Sequence, residues 1–104
     1  MNIELHKNEQ KQTFTQFFVS AKFMRKALEL RKDMNLNNLS IEDLDTAVNF
    51  VVEVFDNQFT SEEVYEGISY EEIIDTVFEN VFMVILQGRK QPSADGKEPG
   101  KKSP

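Results

Sequence analysis

The chain has 104 residues, 39% of them apolar, no Cys and no Trp, so one modest core is expected, and a disulfide framework or thiolate metal site is excluded. Its net charge of -6 is segregated: residues 1–32 carry seven Lys/Arg against three Glu, residues 33–88 none against thirteen acids, and residues 89–104 five against two. An acidic body with two basic ends argues against nucleic-acid binding, and the longest apolar run, Val81 to Leu86, is too short to span a bilayer.

In chain order, Ile3 and Leu5 alternate with polar residues, and Thr13, Phe14, Thr15, Phe17, Phe18 and Val19 follow a polar break at Lys7 to Lys11. These two runs predict an N-terminal β-hairpin, although its turn lacks an Asn-Gly or Asp-Gly pair. Ser20 can cap a helix to about Asp33, whose Phe23, Ala27, Leu30 and Met34 share one side at about 100° per residue. After a turn at Asn35 to Leu39, Ser40 opens a strongly amphipathic helix. Its apolar face is Ile41, Leu44, Ala47, Val48, Val51, Val52 and Phe55.

Thr60 with Glu63 forms a capping-box pattern for a short helix ending near Gly67, and Ser69 with Glu72 forms another for the closing helix, which Gly88 ends. Tyr70, Ile73, Ile74, Val77, Phe78, Val81, Val84 and Ile85 make its apolar stripe. Phe82, Met83 and Leu86 spread around the rest of its last turns, which predicts apolar surface left over for a second copy or a partner. The fold expected is mainly α, about four helices after a β-hairpin. Residues 1–88 form the domain and residues 89–104, Pro-rich and without a large apolar side chain, a disordered basic tail.

The side chains that carry chemistry are sparse. His6 is the single histidine, with no Cys or second His to complete a metal shell or a nucleophile pair. Asp43 and Asp45 lack the loop spacing and glycine of a calcium site, and the pairs Glu62–Glu63 and Glu71–Glu72 fall in first helical turns, where the helix dipole favours acids. No phosphate-cradling glycine loop is present. The expectation is a protein without catalysis, cofactor or metal. Candidate contacts with a partner are apolar Phe14, Phe17, Phe18, Phe82, Met83 and Leu86, and electrostatic Lys22, Arg25 and Lys32. The N-terminus lacks the apolar run of a secretory signal, which makes the cytoplasm the expected location.

The segments FVSAKFMRKALELRKDM (Phe18 to Met34) and VNFVVEVFDNQFTSEEVYEGI (Val48 to Ile68) resemble the tail assembly chaperones of siphophages and prophages of Gram-positive bacteria. Arg25 and Lys26, the phrase from Val51 to Thr60, and Tyr65 with Gly67 hold the places that carry the likeness. The resemblance implies a cytoplasmic protein that coats the aggregation-prone tape measure protein until tail tube subunits polymerise, and that is absent from the mature virion; self-association is expected from the surplus apolar surface of the closing helix. It also implies a possible longer product of ribosomal frameshifting that recruits the tail tube protein, with which Gly100 to Lys102 is compatible. Two other readings remain open on the residues alone. One is an acidic DNA mimic that inhibits a host DNA-binding protein; the other is a structural tail or connector subunit.

Overall fold

The structure is a computed structural model and describes residues 1–90. The expected tail, from residue 91 onward, lies outside the described residues. Strands β1 (Asn2–Lys7) and β2 (Gln10–Thr15) pair antiparallel, with Ile3 opposite Phe14 and Leu5 opposite Gln12. The hairpin therefore forms without a glycine in its turn. Asn8 and Glu9 supply the two positive φ angles, 54° and 66°, that a two-residue turn of this twist requires. Ile3 and Leu5 are buried on one face while their neighbours stand in solvent, as a two-residue period dictates. The second strand ends at Thr15, so Phe17, Phe18 and Val19 belong to the connection beyond it.

Helix α1 (Ala21–Arg31) follows directly after Ser20, and α2 (Ile41–Val54) begins with a complete capping box between Ser40 and Asp43. Asp43 is buried, and its carboxylate accepts from the backbone N–H of Ser40 at 3.2 Å and of Asn35 at 3.4 Å, which satisfies it and fixes the loop before the helix. Ala47, Val48, Phe50, Val51 and Val54 of α2 form the centre of the core. Ile41 departs from the expected apolar face and is 77% exposed. Side chains tilt toward the helix N-terminus, so that of the first residue projects past the packed stretch.

The phrase Val51 to Thr60 closes α2 and opens α3 (Ser61–Gly67). Asp56 N–H donates to Glu53 O at 3.0 Å and Asn57 N–H to Val52 O at 2.9 Å. These are the paired bonds of a left-handed helix end, built here on Asp and Asn rather than Gly. Thr60 and Glu63 then complete the expected capping box of α3. Gly67 lets that helix lie against β1: a Cβ there would stand 3.0 Å from both the His6 carbonyl oxygen and Leu5 Cβ.

The closing helix covers residues 73–86. It is π-wound over Asp75–Phe82 and α-wound in α4 (Met83–Leu86). In the π segment each N–H bonds five residues back, so the turn is wider than that of an α-helix. Burial accordingly recurs every four residues, in the rows Val77, Val81, Ile85 and Phe78, Phe82, Leu86. At about 100° per residue those rows would drift steadily around the helix. The wider π turn carries the rows back the other way, so across the two windings both stay buried.

This changes two expectations. Phe82 and Leu86 are buried, Phe82 completely, with its ring 5.4 Å edge-on to Phe50 and 6.1 Å from Phe78, while Met83 is half-buried. The chain's own helices cover most of the surface that regular α-winding would have left over. Conversely, Tyr70 and Ile74, placed by α-winding on the buried stripe, are 88% and 41% exposed. Residues 70–72 form a turn, in which the Ser69 carbonyl accepts from Glu72 and Ile73 N–H at 3.0 Å, before the packed part of the helix begins. The architecture is otherwise the expected one: four helices, counting α4 with its π-wound lead-in, after an N-terminal hairpin. No described helix is long and apolar enough to cross a membrane.

Candidate partner-binding surface

Gln16 sets the position of the exposed aromatic pair that follows it. Its backbone N–H donates to Met1 O at 2.8 Å, its carbonyl accepts from the Met1 amino group at 3.0 Å, and its side-chain amide donates to Val54 O at 3.0 Å and Asp56 Oδ2 at 2.9 Å. Its Oε1 accepts from Phe18 N–H at 3.5 Å. One residue thus ties the N-terminus, the end of α2 and the start of the connection together. Gln58 repeats the tie in reverse, donating to Thr15 O at 3.0 Å.

From this anchored point Phe17 and Phe18 project into solvent, 94% and 77% exposed. Each forgoes roughly 1.5–3 kcal/mol of burial. Phe14, the third aromatic candidate of this region, is half-buried instead, with its ring 5.0 Å edge-on to Phe59, which in turn packs 5.4 Å from Phe55. Phe14 belongs to the seam between hairpin and helices. Phe17 and Phe18 stand outside it.

A cleft of about 320 Å³ opens beside Phe17, with Met1, Val19, Met24, Val84 and Ile85 in its walls. Gly88, with φ of 66°, ends the closing helix there, and its Cα approaches Met24 so closely that an added Cβ would lie 2.9 Å from Met24 Cε. Ser20 also lines the cleft, and its buried hydroxyl has no hydrogen-bond partner. Arg89 stands at the rim. The trough is lined mostly by apolar side chains, with the Arg89 cation beside them.

The electrostatic candidates belong to α1 and its end: Lys22 lines a separate cleft with Phe23, Lys26, Glu53, Asp56 and Asn57, and Lys32 is the residue that caps the helix. Lys22, Arg25 and Lys32 are all exposed, and Arg25, Leu28 and Lys32 fall within about 60° of one another around the helix. Among the described residues, the ion pairs are Lys7–Glu63, Lys11–Glu4 and Lys26–Glu53. The basic strip is therefore answered only by Lys26, which joins α1 to α2. Lys22 places its ammonium 5.3 Å from the centre of the Phe23 ring, and Arg25 and Lys32 face solvent.

The two groups with displaced proton affinity stitch the fold. The hydrogen bond from Lys7 holds Glu63 below the usual carboxylate range, joining β1 to α3. Burial, followed by its hydrogen bond to Asp45, pushes Tyr65 up to about 12, joining α3 to α2. His6 lies in a separate polar cleft with Glu4, Lys11, Glu72 and Asp75. Among the described residues no group of three or more His, Asp or Glu side chains is arranged to hold a metal ion.

The candidate residues thus divide. Phe17, Phe18, Lys22, Arg25 and Lys32 are all exposed, the first two on the β2–α1 connection and the other three along α1 and at its end, whereas Phe82 and Leu86 are core and Phe14 and Met83 are intermediate. Sequence reasoning missed Gln16, whose role depends on contacts with residues about forty positions away that no local pattern encodes. It also missed Tyr70 and Ile74 as surface residues. Tyr70 precedes two glutamates at the helix start, a place where an aromatic need not be covered.

Among the described residues the region presents an exposed aromatic pair on the β2–α1 connection, followed by exposed cations along α1. The chain belongs to the phage tail chaperone family, which it matches over residues 1–102. No curated protein and no solved structure matches it.

Proposed function

We propose that the protein is a tail assembly chaperone that self-associates and coats the tape measure protein in the host cytoplasm, keeping it soluble until the tail tube polymerises around it. The observation that carries this reading is the Phe17–Phe18 pair, held out in solvent by the hydrogen bonds of Gln16, in a chain of this family. A holdase for a long client needs apolar grip, repeated copies and a charge that keeps the complex dispersed. Phe17 and Phe18 supply the grip, and the acidic body supplies the charge. The protein then leaves before the particle is complete, and a longer frameshifted product, if translated, brings in the tail tube protein.

Co-expression with the tape measure protein of the same phage tests the reading. The client is expected to be soluble and to co-purify with this chain, and a Phe17→Ser, Phe18→Ser double variant is expected to lose both effects. A client equally insoluble with and without the chaperone would refute it. Finding this chain as a stoichiometric component of purified particles would instead favour a structural tail or connector subunit.

A further inference from the structure

The outer face of α1 combines apolar side chains with unpaired cations. At about 100° per residue, half-buried Met24 and exposed Leu28 lie within about 40° of one another. Met24 shares a cleft with Phe17, so this apolar row continues from the Phe17 ring along the helix. Exposed Arg25 and Lys32 lie on one side of the row and exposed Arg31 on the other, and Arg89 lines the cleft that Phe17 and Met24 share. Among the described residues none of these four cations takes part in an ion pair. Glu29, the one acid of α1, stands about 100° from Leu28 and outside the row.

We propose that this face takes an amphipathic helical segment of the client whose apolar row packs on Phe17, Met24 and Leu28 and whose flanks carry Asp or Glu. The inference rests on the chaperone reading above and names the chemistry of the client segment. Charge selects the occupant. Residues 33–88 carry thirteen acids and no Lys or Arg, so an acidic segment is repelled by the body of the protein and accepted along α1. A segment with basic flanks meets the opposite pattern and is turned away from α1. The apolar row selects a peptide over a nucleic acid, because phosphate makes no use of it. With about three turns, α1 is long enough to receive anchors spaced three and four residues apart on a partner helix.

Overlapping peptides that span the tape measure protein of the same phage, titrated with the full chain by fluorescence anisotropy, test the proposal. The peptides bound are expected to be amphipathic and net negative, with affinity falling as salt is added. Leu28→Ser and Phe17→Ser are each expected to weaken that binding by about tenfold, and Arg25→Glu by about threefold. Lys11→Glu makes the same change in net charge near the turn of the hairpin and is expected to leave binding as it is. All four substitutions fall on exposed residues, and circular dichroism checks that each variant stays folded.

Bound peptides that are net positive or uncharged, no bound peptide at all, or an Arg25→Glu variant that binds as Lys11→Glu does would each overturn the acidic segment on α1. So would a chain that binds phosphatidylglycerol vesicles through Leu28 and Arg25 and no peptide, which would give the face to an anionic lipid surface. If co-expression still keeps the client soluble in any of these cases, the chaperone reading stands and only its docking face falls. A client left insoluble by the wild-type chain removes both.

Discussion

Gln16 and Gln58 bond across one seam in opposite directions: the Gln16 amide donates to Val54 O at the end of α2, and the Gln58 amide donates to Thr15 O at the end of β2. The two glutamines flank the aromatic stack of Phe14, Phe59 and Phe55 and lock the hairpin to the helices. Replacing Gln16 by Ala removes three side-chain hydrogen bonds, to Val54 O, to Asp56 Oδ2 and the long one from Phe18 N–H, at an expected cost of about 1–3 kcal/mol. Gln58→Ala removes one, at about 0.5–1.5 kcal/mol. Because both close the same seam, a double-mutant cycle followed by urea denaturation is expected to show coupling above about 0.5 kcal/mol. Strict additivity would mean that the bonds act independently.

Phe82 and Phe17 test the division between core and surface. Phe82 is fully buried between Phe50 and Phe78, so Phe82→Ala is expected to cost about 3–5 kcal/mol, a large part of the total stability of a domain this size. Phe17→Ala should leave the stability of the isolated chain within about 0.5 kcal/mol and act on binding instead. Comparing urea midpoints of the two variants decides the assignment. Equal losses would place Phe17 in the packed fold.

Most of the framework was legible because its signals are local. The Ser40 and Thr60 caps, the end of α3 at Gly67 and the helix stop at Gly88 each depend on a few neighbouring residues, and all four stand where the sequence placed them. The closing helix was misread on two points of geometry. Burial assigned at 3.6 residues per turn from Ser69 onward puts Tyr70 and Ile74 inside and Phe82 and Leu86 outside, whereas residues 70–72 form a turn ahead of the helix, and the π-winding over Asp75–Phe82 changes which side chains face the core beyond it. Nothing local announces that winding. The surface at Phe17 and Phe18 was half legible. The residues were singled out, but their exposure depends on Gln16 finding Val54 and Asp56 across the fold.

The hairpin turn holds unused stability. Glu9 adopts φ of 66° with a side chain that disfavours that region, in a turn where Asn-Gly is the best pair. Glu9→Gly removes the steric cost and is expected to stabilise the protein by about 0.5–1 kcal/mol after the added flexibility of the unfolded chain is subtracted. Thermal denaturation monitored by circular dichroism reads this as a rise in Tm. A fall would show that the Glu9 side chain makes a contribution outweighing its backbone strain.

Tyr65 provides a pH signature of the α2–α3 contact. Its folded value of about 12 lies above the ordinary 10.0, first because of burial and second because its hydroxyl donates to Asp45. A group whose proton is held more tightly in the folded state contributes stability that is complete below its unfolded value and disappears as pH rises through the folded one. The loss therefore falls between about pH 10 and 12. In a Tyr70→Phe variant, Tyr65 is the one remaining phenol, and its ionisation can be followed by ultraviolet absorbance without overlap. The expected midpoint is about 12, accompanied by loosening of α3 from α2 as the phenolate forms beside Asp45. Adding Asp45→Asn should lower the midpoint only part of the way, because burial persists after the charge is gone. A midpoint at the ordinary tyrosine value in the folded Tyr70→Phe variant would show that Tyr65 does not pack where the structure puts it.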